Sequence, residues 1–260
     1  MFIVSSYAMA VTLCIITMLC WGSWGNTQKL ASREWKFQLF YWDYGFGVLL
    51  WALILAITLG SIGDVGRSFW QDLRQWNAGG EIGAAFQHNV MWAFIGGVVF
   101  NLSNLLLVIA IDIAGLAVAF PIGVGLALVL GVAQTYYFRP EGSPTLLAVG
   151  VALVMIAIIV NAVAYKKLQS NKGTKENSST LGIVISVIAG ILMGLGFFGL
   201  VSKGIVPNFV NPEAGKMTPY TALVVFSLGL VLSNLIWRLL WKTKRKKAKG
   251  KKLLFPYLHM

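Results

Sequence analysis

Apolar positions in this chain come in long unbroken runs, not in the alternation of a half-buried strand or the one-sided stripe of a soluble helix. Seven stretches contain no Asp, Glu, Lys or Arg: 1–28, 44–63, 82–111, 113–138, 142–165, 177–202 and 217–237. Each has 20 residues or more, and a helix needs roughly 20 apolar residues to cross the hydrocarbon core of a bilayer. The pattern predicts an all-α, polytopic membrane protein with seven transmembrane helices. The first stretch has no charged leading segment and stays uncharged through Gln28. It therefore reads as a retained first helix, not as a cleaved signal.

Composition sharpens this picture. Residues are 57% hydrophobic and only 12% charged, about half the charged share of a soluble domain. The net charge of +12 raises the question of nucleic-acid binding, but its distribution argues against it. Nine of the 21 Lys and Arg fall in "RLLWKTKRKKAKGKK", residues 238–252, directly after the last stretch. A basic run in that place reads as a cytoplasmic flank against anionic lipid. Cys14 and Cys20 lie six residues apart on the first stretch. That spacing puts them about 9 Å apart on different faces, too far for a disulfide, so both are expected as small core residues.

Charge also sets orientation. Connections one, three and five share a side with the tail, and with the tail's nine they carry 16 Lys and Arg, against 5 in connections two, four and six. The positive-inside rule then puts the tail in the cytoplasm and the N-terminus outside the cell (inner) membrane.

An internal repeat organises the chain. "GSWGNTQK" (22–29) and "GFFGLVSK" (196–203) share Gly, an aromatic two residues on, Gly and a final Lys at an offset of 174. Five helices per unit would invert the second copy, the arrangement of many secondary transporters. The expected division is a first five-helix repeat (1–165), a polar cytoplasmic linker (166–180), the start of an inverted second repeat with two helices (181–241) and a basic cytoplasmic tail (242–260). A five-plus-five frame calls for ten helices, so the sequence reads as C-terminally truncated or frameshifted after "KKLLFPYLHM". "GLGFFG" (194–199) matches G-x-G-x-x-G, but a dinucleotide site needs a preceding strand; inside an apolar span these glycines serve close helix approach. Neither a nucleophile–base set nor a metal-ligand set is evident, so no enzyme activity, cofactor or metal is expected.

The polar residues within the spans carry the candidate chemistry. On a helical wheel Trp21, Trp24, Gly25 and Gln28 fall within about 100° of one another, beside a stripe of Gly22, Asn26 and Lys29. Aromatic surface next to amide and ammonium donors suits a flat polar ring or a sugar. Tryptophan and lysine at a span end also serve as plain interface anchors, and Asn26 as interhelical glue. In "LFYWDYG" (39–45), Trp42 adds aromatic surface. Asp43 is either a proton carrier that could pair with Lys29 or a cap on the second helix. Asn101 and Asn104 in "NLSN" are three residues apart and so share one helix face, deep in the third span, where amides need partners. Asp112 reads as a solvated turn between the third and fourth spans. Pro121 removes one backbone hydrogen bond from the fourth span, for a cavity wall or for a packing kink.

With these residues assembled, the chain resembles the ureide permease family of the drug/metabolite transporter superfamily, close to the bacterial glucose/ribose porters. The segments that carry the resemblance are "CWGSWGNTQKL", "FQLFYWDYGFGVLLWAL", "GGVVFNLSNLLLVIAIDIAGLAVAFPIGVGLALVLG" and "SPTLLAVGVALVMIAIIVNAVAYKK". The resemblance implies a ten-helix carrier of two inverted halves that moves allantoin, uracil or related ring compounds, commonly with protons. Asp112 departs from the small or hydroxyl residue expected there. The expected function is thus a secondary-active, proton-coupled permease for a small polar ring compound. Trp21, Trp24, Asn26, Lys29, Trp42, Asn101, Asn104 and Pro121 would line its site, and Asp43 would couple it to protons. The alternatives are glucose/ribose-type sugar uptake and a truncated, non-transporting half that pairs with itself or with a partner half. The partners expected are a small polar solute, lipid and protons, with no nucleic acid.

Overall fold

The computed structural model describes residues 1–4, 6–31, 37–138, 140, 142–171 and 180–247. Its helices are α1 (Tyr7–Ala31), α2 (Phe37–Ile57), a short α3 (Phe69–Arg74), α4 (Gly80–Ala114), α5 (Leu116–Phe138), α6 (Pro144–Asn171), α7 (Thr180–Ile191), α8 (Phe198–Val201) and α9 (Pro219–Lys247). A π-helical segment, Leu192–Phe197, joins α7 to α8, and 3₁₀ turns follow α3 and α8. Each of the seven charge-free stretches lies largely on helix, and no strand forms among the described residues. Among the described residues six helical segments are long and apolar enough to cross a membrane, and the apolar part of α9, Pro219–Leu235, is shorter. The protein is an all-α, multi-pass membrane protein.

Two compact units divide the chain, one of residues 1–94 and 204–260, the other of 95–203. In the first, α2 packs along α9, with Ala52, Ala56, Phe69 and Val224 forming a buried cluster. Gly45 permits the close approach: a Cβ there would sit 3.2 Å from both Asn234 Nδ2 and Leu230 Cδ2. A second cluster joins Phe86 and Ala93 of α4 to Met217 and Ala222.

Polar bonds tie this unit together at one end. The Asp72 carboxylate is fully buried. It accepts from the Arg67 guanidinium, from the Thr218 amide at 2.7 Å and from the Thr218 hydroxyl at 2.8 Å. Arg67 also donates to the carbonyls of Glu213 and Lys216. Gln75 Oε1 accepts from the Gly215 amide at 2.9 Å, and Asn89 Nδ2 donates to the Gly215 carbonyl at 2.8 Å. A buried charge is tolerable only when its lone pairs are met in this way. Phe2 donates its amide to the Leu59 carbonyl at 2.7 Å. The N-terminus, the connection after α2 and the connection before α9 thus lie together, the three segments that the charge pattern puts on one side of the membrane.

In the second unit, α5 and α7 run parallel with small residues in contact. A Cβ on Gly190 would stand 2.6 Å from the Gly123 carbonyl, and one on Gly194 would meet Leu130 Cβ at 2.7 Å. The Ser103 hydroxyl of α4 donates to the Ala189 carbonyl at 2.7 Å. Such close, small-residue packing is the usual route to helix association where lipid removes the hydrophobic drive.

Several expectations are corrected. Asp112 lies in the last turn of α4, not in the connection; the chain turns at Gly115, whose φ of 83° suits glycine. Helix α6 runs to Asn171, so residues 166–171 of the expected linker are helical, and 172–179 lie outside the described residues. Cys14 and Cys20 are exposed free thiols, not core residues, on a stretch of α1, Tyr7–Trp24, in which no residue is fully buried. The connection after α2 holds α3, which no apolar period announces.

Candidate functional site

The first group of candidates sits where α1 meets α2. Trp24 is half-buried, its ring edge-on to Tyr44 with centroids 6.0 Å apart. Tyr44 in turn lies 5.6 Å from buried Tyr41. The indole N–H of Trp24 is buried and finds no acceptor among the described residues. A buried donor without a partner costs about 1–3 kcal/mol, so this N–H is a ready contact for a ligand or water oxygen. Trp42 points elsewhere, stacked on Phe46 at 5.7 Å. Trp21 and Asn26 are exposed on α1, and Asp43 is exposed on α2. The side chains of Gln28 and Lys29 lie outside the described residues, and with them the proposed Lys29–Asp43 pairing.

The second group belongs to the other unit. Asn101 is fully buried and Asn104 is 5% exposed, both on the stretch of α4 that also carries Ser103. A carboxamide pair at this depth supplies two carbonyl acceptors and four N–H donors in an apolar span. Pro121 is half-buried inside α5, and the turn beyond it is built of the small residues Gly123 and Gly125. The nine candidates therefore divide: Trp21, Trp24, Asn26, Lys29, Trp42 and Asp43 in one unit, Asn101, Asn104 and Pro121 in the other.

Structure adds residues that the sequence reading passed over. Asn234 of α9 is 6% exposed and sits against the backbone of α2 at Gly45. Its signal was available, since "LSNL" (232–235) repeats the polar step of "NLSN" inside an apolar stretch. Gln134 of α5 has a buried carbonyl oxygen with no partner among the described residues, and its amide presses on Gly199. Tyr41 and Tyr44 line the contact of Trp24. Among the described residues no group of three His, Cys, Asp or Glu is placed to hold a metal ion.

Comparison with known proteins places these features. The sequence profile described as "Ureide permease" matches residues 40–178, a stretch that includes Trp42, Asp43, Asn101, Asn104 and Pro121. Ureide permease 1 of Arabidopsis thaliana is 29% identical over 204 residues, 75% of this chain and 50% of that protein. Ureide permease 3 of the same plant is 29% identical over 189 residues, 69% of this chain and 52% of that protein. The chain thus spans about half the length of the curated relatives it matches. No solved structure matches.

Proposed function

The chain belongs to the ureide permease family, and from that membership we propose that it carries a small ureide-type or nucleobase-like ring compound across a cell membrane. The observation that supports this reading most directly is the buried amide pair on α4. Adjacent N–H and C=O groups on a ureide are complementary to a carboxamide's own C=O and N–H, so Asn101 and Asn104 would bind such a ring at its edge. Trp24, whose indole N–H has no partner among the described residues, and Trp21, Asn26, Lys29, Trp42 and Pro121 are the other proposed substrate contacts. Asp43 is the proposed proton carrier, in a protein oriented with its basic tail in the cytoplasm and its N-terminus outside. The five-plus-two division of the helices at 166–180 is part of the same proposal.

Uptake of labelled allantoin and uracil into proteoliposomes tests it. Asn104→Leu is expected to lower uptake about tenfold, the equivalent of one hydrogen bond of ~1.4 kcal/mol, with unlabelled uracil competing and ribose not. Competition by ribose alone would move the reading to a sugar. Uptake unchanged in Asn104→Leu would remove the amide pair from the site. For Asp43→Asn, loss of the response to an inward proton gradient is expected. A response equal to that of the parent protein would end the coupling role.

A further inference from the structure

Helix α3 and its 3₁₀ extension have two unlike sides. Ser68 caps the start: its hydroxyl accepts the Gln71 amide and the Gln71 side chain returns to the Ser68 amide. Phe69 and Asp72 face inward, Phe69 into the α2–α9 cluster and Asp72 into its knot of bonds. Trp70, Leu73 and Trp76 face away, with 52%, 41% and 47% of their surface exposed. They recur every third residue, the spacing that keeps them on one side of a helix this short. Arg74, one turn beyond Trp70, is also exposed.

Two indoles and a leucine on one side of a short helix make a contiguous exposed apolar patch, the kind that marks a membrane or protein contact. The knot fixes them: with Asp72 locked, the helix cannot roll to bury them. Its place in the chain names what they meet. The connection that carries α3 joins the membrane-crossing helices α2 and α4, and the outer side of α2 leads up to it. Leu50, Trp51, Ile54 and Ile57 are exposed along α2, followed by Leu59 and Ile62. Beside them a shallow depression of about 360 Å³ is lined by Phe46, Gly47, Leu49, Leu50 and Leu53, all apolar or glycine. The α2 part of this strip belongs to a segment long and apolar enough to cross a membrane. Indoles settle at the headgroup level, with the ring in the acyl boundary and the N–H in the wet zone, and an adjacent arginine meets lipid phosphate.

We propose that α3 is an interfacial helix whose Trp70, Leu73 and Trp76 side lies in the headgroup region of the bilayer, continuous with the lipid-facing side of α2. Nitroxide labels test this in a Cys14→Ser, Cys20→Ser background reconstituted into phosphatidylcholine–phosphatidylglycerol vesicles. One label is placed at Leu73→Cys and a water reference at Asp64→Cys, an exposed loop position. The Leu73 label is expected to collide with dissolved oxygen several-fold more, relative to a water-soluble nickel chelate, than the Asp64 label does. Equal ratios at the two positions would place α3 in water and overturn the proposal. Shielding of the Leu73 label from both reagents, with a broadened immobile spectrum, would also overturn it, in favour of cover by protein. Both positions are on the surface, so the labelled chains keep the buried contacts intact.

Discussion

Asp72→Ala is expected to lower the stability of the unit built on α2 and α9 by about 3–5 kcal/mol, the usual cost of stranding one partner of a buried charge pair. The carboxylate is fully buried and accepts from three residues besides Arg67's own links to the loop carbonyls: Arg67, Thr218 and, at 3.3 Å, Gln75. Alanine leaves the Thr218 amide and a mostly buried guanidinium without their acceptor. In detergent this corresponds to a fall in melting temperature on the order of 10 °C. The Arg67→Ala, Asp72→Ala double variant should lose less than the two single losses added together, because removing both partners removes the stranded charge. Asp72→Asn should fall between, since it keeps an acceptor but no charge. A single variant that melts with the parent protein would mean the knot contributes nothing.

The second large effect is steric. Gly190→Ala puts a Cβ 2.6 Å from the Gly123 carbonyl and 3.0 Å from Leu126 Cβ, and neither obstacle is the free end of a side chain. The helices α5 and α7 must part, at a cost of about 3 kcal/mol, the upper range for overpacking. Gly125→Ala is the matched contrast. Its added methyl meets only the Ile158 side chain, nearest at its terminal Cδ1, which can rotate aside. Its expected cost is under ~1 kcal/mol, provided that rotation stays within ordinary rotamers. Melting curves of the two variants side by side decide the matter; equal losses would show that the α5–α7 contact adapts freely.

How much of this could be read beforehand follows from where the information sits. The spans were legible because a missing charge over 20 residues is a local property of the chain. Helix α3 was not, because six residues show no period and its charges, Arg67 and Asp72, look like a solvated loop until their partner Thr218 arrives from 146 positions away. The Ser68–Gln71 capping pair was the only local sign. Asp112 was misplaced by counting from charge, when Gly115 marks the turn. For the site, a wheel places Asn101 beside Asn104, and both are buried. The same wheel grouped Trp21 with Trp24, yet only Trp24 has a neighbour in Tyr44. A wheel gives direction around an axis and nothing about what lies in that direction. Asn234 was missed for the same reason, since its importance comes from α2.

The buried small positions of α7 and the π segment after it step evenly, Gly182, Ser186, Gly190 and Gly194, and then jump by five to Gly199 of α8 across the π turn. A π turn is an α-helix with one residue more than it needs. The helix therefore carries two phases, and the extra residue between them works like the offset of a vernier: it brings Gly199, not Phe198, under Gln134. Held in plain α geometry with all its residues, the segment would turn Phe198 to that place, a shift of about 100°; taking one residue out of Leu192–Phe197 would instead let it close as ordinary α-helix with Gly199 four residues past Gly194 and still under Gln134. The π turn thus absorbs one residue of slack while the small face runs on unbroken, so losing a single residue within it is expected to disturb the fit less than a side chain at Gly199, where an added Cβ would stand 2.4 Å from Gln134 Nε2.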